Sequence, residues 1–354
     1  MKDRKAVVRC GSRSAVRLAD LALLVRAPAA LSVPGDVIAG AAAAGRPLGV
    51  RTLGVIGSSV CLYWAGMALN DYVDATVDSV ERPERPVPSG RVPRRTALAV
   101  AGGLTAAGIG LAAAAGGRRS VGAALPLAGL VWAYDLKLKS TPAGGFAMAG
   151  ARVLDVLAGA VVPGPGAGSV GAALRRAAVP AALIGAHTGT LMALSRHEIS
   201  GAPVRIPIRT LAVSTATAVA TAVPIAGADA GSAGKSRLPS AAPSWLVAPR
   251  GGAASRHSPA PLKGVAVAAR SKKLRTALTA AGALAYLGTY GTAQARAVQA
   301  PSAENVRSAV GAGILGLMPL QAALTARGGA PVVAAALGVV HPLARRLARR
   351  ISPT

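Results

Sequence analysis

Residues 66–78 read Gly66-Met67-Ala68-Leu69-Asn70-Asp71-Tyr72-Val73-Asp74-Ala75-Thr76-Val77-Asp78. An apolar run therefore passes directly into one amide and three acids. A helix turns by about 100° per residue, so Asn70, Asp74 and Asp78 lie within about 80° of arc, with Asp71 beside them. Like charges at this spacing repel, and an acid costs about 2.5–3.5 kcal/mol at the centre of a bilayer. A hard divalent cation with oxygen ligands would offset this charge, so the cluster predicts a Mg²⁺ site. The alternative is a solvated helix end that binds nothing.

The apolar residues of the chain come in long blocks, which are typical of membrane helices. The 354 residues are 52% hydrophobic and 15% charged, and the mean hydropathy is +0.46. A helix needs about 20 apolar residues to cross the hydrocarbon core. Ten blocks are candidates: 20–43, 52–72, 95–116, 120–136, 143–163, 174–194, 207–228, 273–295, 305–326 and 330–346. None has the two-residue alternation of a barrel strand. The sequence therefore predicts an all-α, polytopic transmembrane helical bundle with about nine spans, ten being possible.

The blocks divide the chain into four parts. Residues 1–19 form a basic cytoplasmic leader, and 20–228 hold the first seven helices and the polar motifs. Residues 229–272 are rich in Ser, Pro, Gly and Ala, and we expect a low-complexity, disordered linker. Residues 273–354 form the last helices and a basic tail.

The charge distribution predicts the orientation of the bundle in the membrane. The net charge is +27, but the Lys and Arg residues lie between apolar blocks rather than on one face, which argues against nucleic acid as a partner. With the N-terminus inside, the cytoplasmic segments up to residue 209 hold sixteen basic residues and the outer loops six. This asymmetry favours an inner-membrane protein with a cytoplasmic N-terminus. The basic segment 229–272, which would then lie outside, counts against it.

The residues after the acids suggest an anion as the second ligand. Three prolines within residues 83–88 stop the helix and stiffen the loop. Arg82 and Arg85 lie between the acids and the end of this loop, and a guanidinium can hold a phosphate through two parallel hydrogen bonds. Metal-binding acids followed by fixed arginines predict a diphosphate site.

This arrangement resembles a known family. An Asn followed by Asp at the fourth and eighth positions, and then by Arg-Pro, Arg-Pro and Ser-Gly, is similar to the first aspartate-rich motif of the UbiA family of magnesium-dependent prenyltransferases. The resemblance implies a UbiA-like fold and a set of metal ligands: Asn70, Asp74 and Asp78. It also implies that Asp71 is an additional acid of the active site and that Arg82 and Arg85 contact the diphosphate.

The fourth predicted span ends in Tyr134, followed by two lysines. In the UbiA family a Tyr followed by basic residues at this point contributes to diphosphate binding, which implicates Tyr134, Lys137 and Lys139. The sequence does not distinguish the two lysines. The alternative is an interfacial aromatic residue with positively charged anchors.

The sixth span departs from the family pattern. UbiA enzymes usually carry a second aspartate-rich motif there, whereas this chain has Ser195-Arg196-His197-Glu198-Ile199-Ser200-Gly201. The form resembles a bacterial side branch in which a Glu replaces the aspartates. Glu198 is then either a ligand of a second cation or a base.

Four further ionisable residues lie within predicted spans. Arg26 and Asp36 are expected to face the interior of the bundle. Arg152 and Asp155 are three residues apart on one helix, and we expect them to neutralise each other.

The resemblance implies a function. An integral membrane prenyltransferase would move a prenyl group from an isoprenyl diphosphate to an acceptor that the sequence does not reveal, with Mg²⁺ as the cofactor and diphosphate as the product. The acceptor would lose its proton to Glu198 or Asp71, the two catalytic candidates. The alternatives are a non-catalytic binding or transport protein on the same fold, and a family member that has lost catalysis.

Overall fold

The computed structural model describes residues 16–164, 168–223 and 262–339, and these ranges contain helices and no β-strand. The all-α prediction is therefore confirmed for the described residues. The helices are α1 (Leu18–Leu24), α2 (Val33–Ala43), α3 (Val50–Val73), α4 (Ala75–Glu81), α5 (Arg94–Ala133), α6 (Gly144–Ala160), α7 (Val170–Ser195), α8 (Arg205–Ala222), α9 (Leu262–Tyr286), α10 (Thr292–Gln299), α11 (Ala303–Arg327) and α12 (331–339).

The predicted linker 229–272 lies mainly outside the described residues, but its last part is helical. Helix α9 begins at Leu262, so it overlaps the predicted linker over residues 262–272. A π-helical turn, Leu287–Gly291, joins α9 to α10. Most of the predicted leader also lies outside the described residues.

Four helices in the described ranges are long and apolar enough to cross a membrane by length and composition. They are Val50–Val73, Arg94–Leu138, Val170–Ser195 and Ala303–Arg327, and a shorter apolar helix covers Ala30–Ala43. The predicted number of nine spans stays a prediction.

Helix α5 is two antiparallel segments rather than one rod. Forty straight helical residues would measure about 60 Å, twice the hydrocarbon core. The chain breaks at Gly117, where φ is 57° and ψ is −145°, a conformation that glycine adopts readily. The indole Nε1 of Trp132 donates to the hydroxyl of Thr105 at 3.0 Å, which joins residues on opposite sides of the break. The reversal matches the boundary predicted between residues 116 and 120.

Small residues let the helices approach closely. A Cβ at Gly40 of α2 would overlap the carbonyl oxygen of Val156, and one at Gly159 of α6 would overlap that of Val37. The backbones of α2 and α6 are therefore in direct contact, which is a common solution in membrane bundles because lipid supplies little hydrophobic drive for helix association.

Helices α3 and α7 and the second segment of α5 all end at the same end of the bundle. The Arg196 guanidinium, directly after α7, donates to the carbonyl oxygens of Thr141 at 2.9 Å and Pro142 at 3.2 Å. These carbonyls lie in the turn that follows α5. The three ends that carry the polar motifs are thus brought together.

The α2–α6 contact gives a test of the packing. Gly159→Leu should lower the free energy of unfolding by about 1–3 kcal/mol or more, because the added side chain meets backbone that cannot move aside. Gly103→Leu is the matched control, since Gly103 is exposed on α5 with nothing within 4 Å of a Cβ. Thermal unfolding of the detergent-purified variants measures the difference. Equal melting temperatures would contradict the close approach.

Candidate active site

The acid cluster lies on a bent helix rather than on the continuous helix that the spacing assumed. Helix α3 ends at Val73 and α4 begins at Ala75, while Asp74 between them has φ −84° and ψ 3°. The helical hydrogen bonds nevertheless continue, from Asp74 N to Asn70 O and from Asp78 N to Asp74 O, both at 2.8 Å. The bend therefore keeps the acids on one side.

Asp71 is buried and held by arginines from two other segments. It is 1% exposed. The Arg26 Nη2 atom donates to Asp71 Oδ1 at 3.0 Å and to Asn70 Oδ1 at 3.3 Å. The Arg85 Nη1 atom lies 3.6 Å from Asp71 Oδ1. Both cations balance an acid that would otherwise be costly to bury.

Asp78 distinguishes the two arginines of the proline-rich loop. Arg85 Nη1 bonds Asp78 Oδ2 at 2.5 Å, whereas Arg82 Nη1 lies 3.6 Å from Asp78 Oδ1. The Arg85 side chain is 18% exposed and that of Arg82 is 54% exposed. Arg85 therefore faces the acids from inside, and Arg82 borders the solvent.

Asn70 and Asp74 form a second group with the end of α5. The amide of Asn70 donates to Asp74 Oδ2 at 3.0 Å and to Asp135 Oδ1 at 3.3 Å. Asp135 is buried and is not among the site residues predicted above. Its position near the end of the fourth predicted span was the available signal, because ionisable residues in membrane helices are rare and usually functional.

The structure separates the two candidate lysines. A π-helical turn, Tyr134–Leu138, follows α5, and Lys139 N bonds Tyr134 O five residues back. This extra residue per turn brings the Lys139 ammonium within 2.5 Å of Asp74 Oδ1, while Lys137 is exposed. Tyr134 is half-buried at the start of the same turn. Lys139 is thus the one of the two lysines that contacts the acid cluster, and its role in diphosphate binding stays a prediction.

Arg26 adopts a strained backbone to reach Asp71. Its φ is 44°, a left-handed conformation that costs a residue with a side chain about 1–2 kcal/mol. Such strain persists where surrounding contacts hold it and is common at functional sites. The bonds to Asn70 and Asp71 are those contacts, so Arg26 belongs to the site more firmly than its sequence context suggested.

Arg152 pairs across the bundle rather than along its own helix. Its Nη1 atom lies 2.7 Å from Asp36 Oδ2, and its Nη2 atom donates to Ser32 Oγ at 2.8 Å. The close ion pair of Arg152 is therefore with the fully buried Asp36 on α2, rather than with Asp155 on its own helix. The amide of Gln321 on α11 completes the cluster by donating to Asp36 at 2.7 Å.

The bent helix thus carries the Asn-x-x-x-Asp-x-x-x-Asp motif, and Arg85 of the proline-rich loop contacts its last acid. Residues 32–242 of this chain match the model of the UbiA prenyltransferase family. The chain belongs to the UbiA prenyltransferase family.

Two relatives of this UbiA protein are named digeranylgeranylglyceryl phosphate synthase. The chain is 41% identical to the one from Methanopyrus kandleri over 110 residues, which cover 31% of this chain and 38% of that one. It is 35% identical to the one from Ignicoccus hospitalis over 196 residues, or 54% of this chain and 62% of that one. The matches therefore span between about two fifths and three fifths of the length of these relatives.

Two solved structures share the fold. A UbiA homologue from Aeropyrum pernix K1 matches with a TM-score of 0.55 at 16% identity, over 88% of this chain and 97% of the homologue. A structure from work on digeranylgeranylglyceryl phosphate synthase in membranes also has a TM-score of 0.55, at 14% identity, over 88% of this chain and 98% of that one. The UbiA-like architecture predicted from the sequence is confirmed.

The altered second UbiA motif occupies the turn after α7. Glu198 is half-buried there. Partial burial raises the pKa of its carboxyl above the usual value, and the charge of Arg307 on α11 opposes this shift. The turn docks on the segment before α11, where Ala202 N donates to Pro301 O at 3.1 Å. The role of Glu198 as a base or a metal ligand stays a prediction.

The donor atoms of the site suit Mg²⁺ in kind. Asn70, Asp74 and Asp78 offer amide and carboxylate oxygens, the ligands that this ion prefers. In the described ranges, no group of three His, Cys, Asp or Glu side chains is close enough to hold a metal by itself. In this structure Arg85 contacts Asp78 and Lys139 contacts Asp74. When a metal and its anion are bound, the carboxylates would contact the metal, and the two basic side chains would contact the anion.

The two lysines give a direct test of the site. Lys139→Gln should weaken the binding of inorganic pyrophosphate in the presence of Mg²⁺ by about tenfold, because one charge-assisted contact is worth about 1.5 kcal/mol. Lys137→Gln is the matched control and should bind like the wild type. Isothermal titration of the purified full chain measures both. An equal loss in the two variants would show that the lysines act only through net charge.

Proposed function

We propose that this chain is an integral membrane prenyltransferase that moves a prenyl group from an isoprenyl diphosphate to an acceptor and releases diphosphate. The observation that carries the proposal is the set of opposed charges at one end of the bundle. Asp71, Asp74 and Asp78 face Arg26, Arg85 and Lys139 at 2.5–3.6 Å.

Opposed charges at this spacing suit a ligand that carries both signs. The acids offer oxygens to a cation, and the guanidinium and ammonium groups offer donors to an anion. A magnesium diphosphate has both parts. A solvated helix end would not need acids as deeply buried as Asp71 and Asp78, which are each 1% exposed.

The proposed metal ligands are those that the family resemblance implies. Asn70, Asp74 and Asp78 would hold Mg²⁺, which supplies Lewis-acid stabilisation of charge on the diphosphate when bound. Asp135, which accepts from the amide nitrogen of Asn70, would fix the orientation of this side chain.

Arg85 and Lys139 would bind the diphosphate oxygens. Their positive charge would stabilise the electrons that the leaving diphosphate takes from the broken carbon–oxygen bond. Arg82, which is more exposed, would meet the outer oxygens, and the half-buried Tyr134 would border the same pocket. The allylic carbon would then bond to the acceptor, and the prenyl chain would lie among the apolar helices.

The acceptor must lose a proton in this reaction. Glu198 and Asp71 are the two candidates, and we favour Glu198, because Asp71 is engaged by Arg26 and has Arg85 beside it. The name of the relatives makes glyceryl phosphate lipids the first acceptors to assay. We place the protein in the inner membrane with a cytoplasmic N-terminus, on the distribution of its basic residues.

Asp74→Ala tests the metal and diphosphate assignment. The rate of diphosphate release from labelled prenyl diphosphates should fall by about a hundredfold or more, since a ligand of the stabilising cation is lost. Glu81→Ala is the matched control, because Glu81 is exposed on α4. Release by reconstituted membranes, with and without EDTA, measures the effect. If Asp74→Ala turned over as fast as wild type, the assignment would be wrong.

Glu198→Gln tests the base through the pH profile. A carboxylate must be deprotonated to accept a proton, so kcat/KM of the wild type should fall as the pH drops through the raised pKa of Glu198. Glu198→Gln should lose this acidic limb and about a hundredfold in rate. Glu304→Gln, an exposed acid in the first turn of α11, should keep both. An unchanged acidic limb in Glu198→Gln would return the role of base to Asp71.

A further inference from the structure

The end of the bundle opposite the candidate active site carries charge of one sign. Helix α3 is 24 residues long, or about 36 Å, and separates the two ends by about the thickness of a bilayer. Six arginines lie at or beside the opposite end: Arg46, Arg51, Arg118, Arg119, Arg175 and Arg176. The sequence has no acid in residues 37–70, 85–134 or 156–197, so acids of these segments do not balance them.

Arg46 is the buried member of this group. It is 5% exposed and lies in the loop between α2 and α3. Its Nε atom donates to the carbonyl oxygen of Ala160 at 2.8 Å and so caps the end of α6. Its Nη1 atom is buried, and no described residue forms a hydrogen bond with it. A buried guanidinium N–H is costly to leave unpaired, so this atom calls for a ligand.

A second buried donor lies at the same junction. Ser120 is 2% exposed, and its hydroxyl also has no hydrogen-bond partner within the described ranges. The turn that carries it packs on the segment after α6, because a Cβ at Gly116 would lie 2.9 Å from Pro163. The loop of Arg46 packs on this segment too, since a Cβ at Gly164 would lie 2.7 Å from Pro47.

The surroundings of Arg46 are cationic. Burial lowers the pKa of its guanidinium, and the charges of Arg119 and Arg176 lower it further. Helices α3 and α7 also begin at this end, and a helix N-terminus carries a partial positive charge. Three guanidinium groups would repel one another here without an anion to share.

We propose that Arg46, Arg119, Arg176 and Ser120 form a phosphate-binding site at this end of the bundle, distinct from the candidate diphosphate site. The ligand is a phosphate group with oxygens for several donors. It comes either from the headgroup of an anionic phospholipid or from free phosphate. In this site Arg46 Nε bonds the end of α6, while Nη1 would donate to the phosphate. The exposed Arg119 and Arg176 would contact the phosphate from the solvent side.

The experiment compares two double variants of the purified full chain in nanodiscs. Arg119→Gln with Arg176→Gln removes two arginines of the site without touching the cap on α6. Arg51→Gln with Arg175→Gln removes two exposed arginines at the same end and is the charge-matched control. Native mass spectrometry measures retention of phosphatidylglycerol against phosphatidylcholine, and a thermal shift measures binding of inorganic phosphate.

The first double variant should bind its phosphate ligand about thirtyfold more weakly than the wild type, because two basic contacts to phosphate are lost. The affinity of the control variant should fall by less than about threefold. A selective loss of phosphatidylglycerol identifies a lipid headgroup, and a selective loss of the phosphate shift identifies free phosphate. Equal binding of both probes by the two double variants would overturn the proposal.

Discussion

The site depends on the neutralisation of acids buried at the end of α3. Asp71 and Asp78 are almost fully buried, and a buried carboxylate without a nearby cation would destabilise the fold. Arg26 and Arg85 supply these charges from segments that precede and follow α3. The same contacts hold the segment before α2 and the proline-rich loop against the bundle. The local fold therefore depends on the same ion pairs that neutralise the acids.

This constraint explains the unusual backbone of the site. The left-handed Arg26, the bend at Asp74 and the π-helical turn that begins at Tyr134 each depart from regular helix. Each departure directs a polar group toward the acids. In a straight helix that polar group would point elsewhere. Deviations of this kind are common at functional sites, where surrounding contacts offset their cost.

The scaffold around the site is built from small residues. Gly40 and Gly159 let α2 and α6 touch through their backbones, and this contact positions Asp36 beside Arg152. The helical periodicity of each segment is visible in the sequence, but this crossing is not. The spacing along one helix suggested Asp155 as the partner of Arg152, because it contains no information about the neighbouring helix that supplies Asp36.

The sequence by itself determined the helical membrane class and the arc of Asn70, Asp74 and Asp78, because apolar block length and helical spacing are local properties. The motif around these residues also carried the resemblance to the family. Tertiary structure alone decided that Lys139 rather than Lys137 meets Asp74, that Asp135 and Arg26 join the site, and that Arg46 is buried among other arginines. These contacts join residues far apart in the chain, 44 residues for Arg26 and Asn70 and 65 for Asn70 and Asp135. Helix packing sets such distances, and no spacing along one segment encodes them.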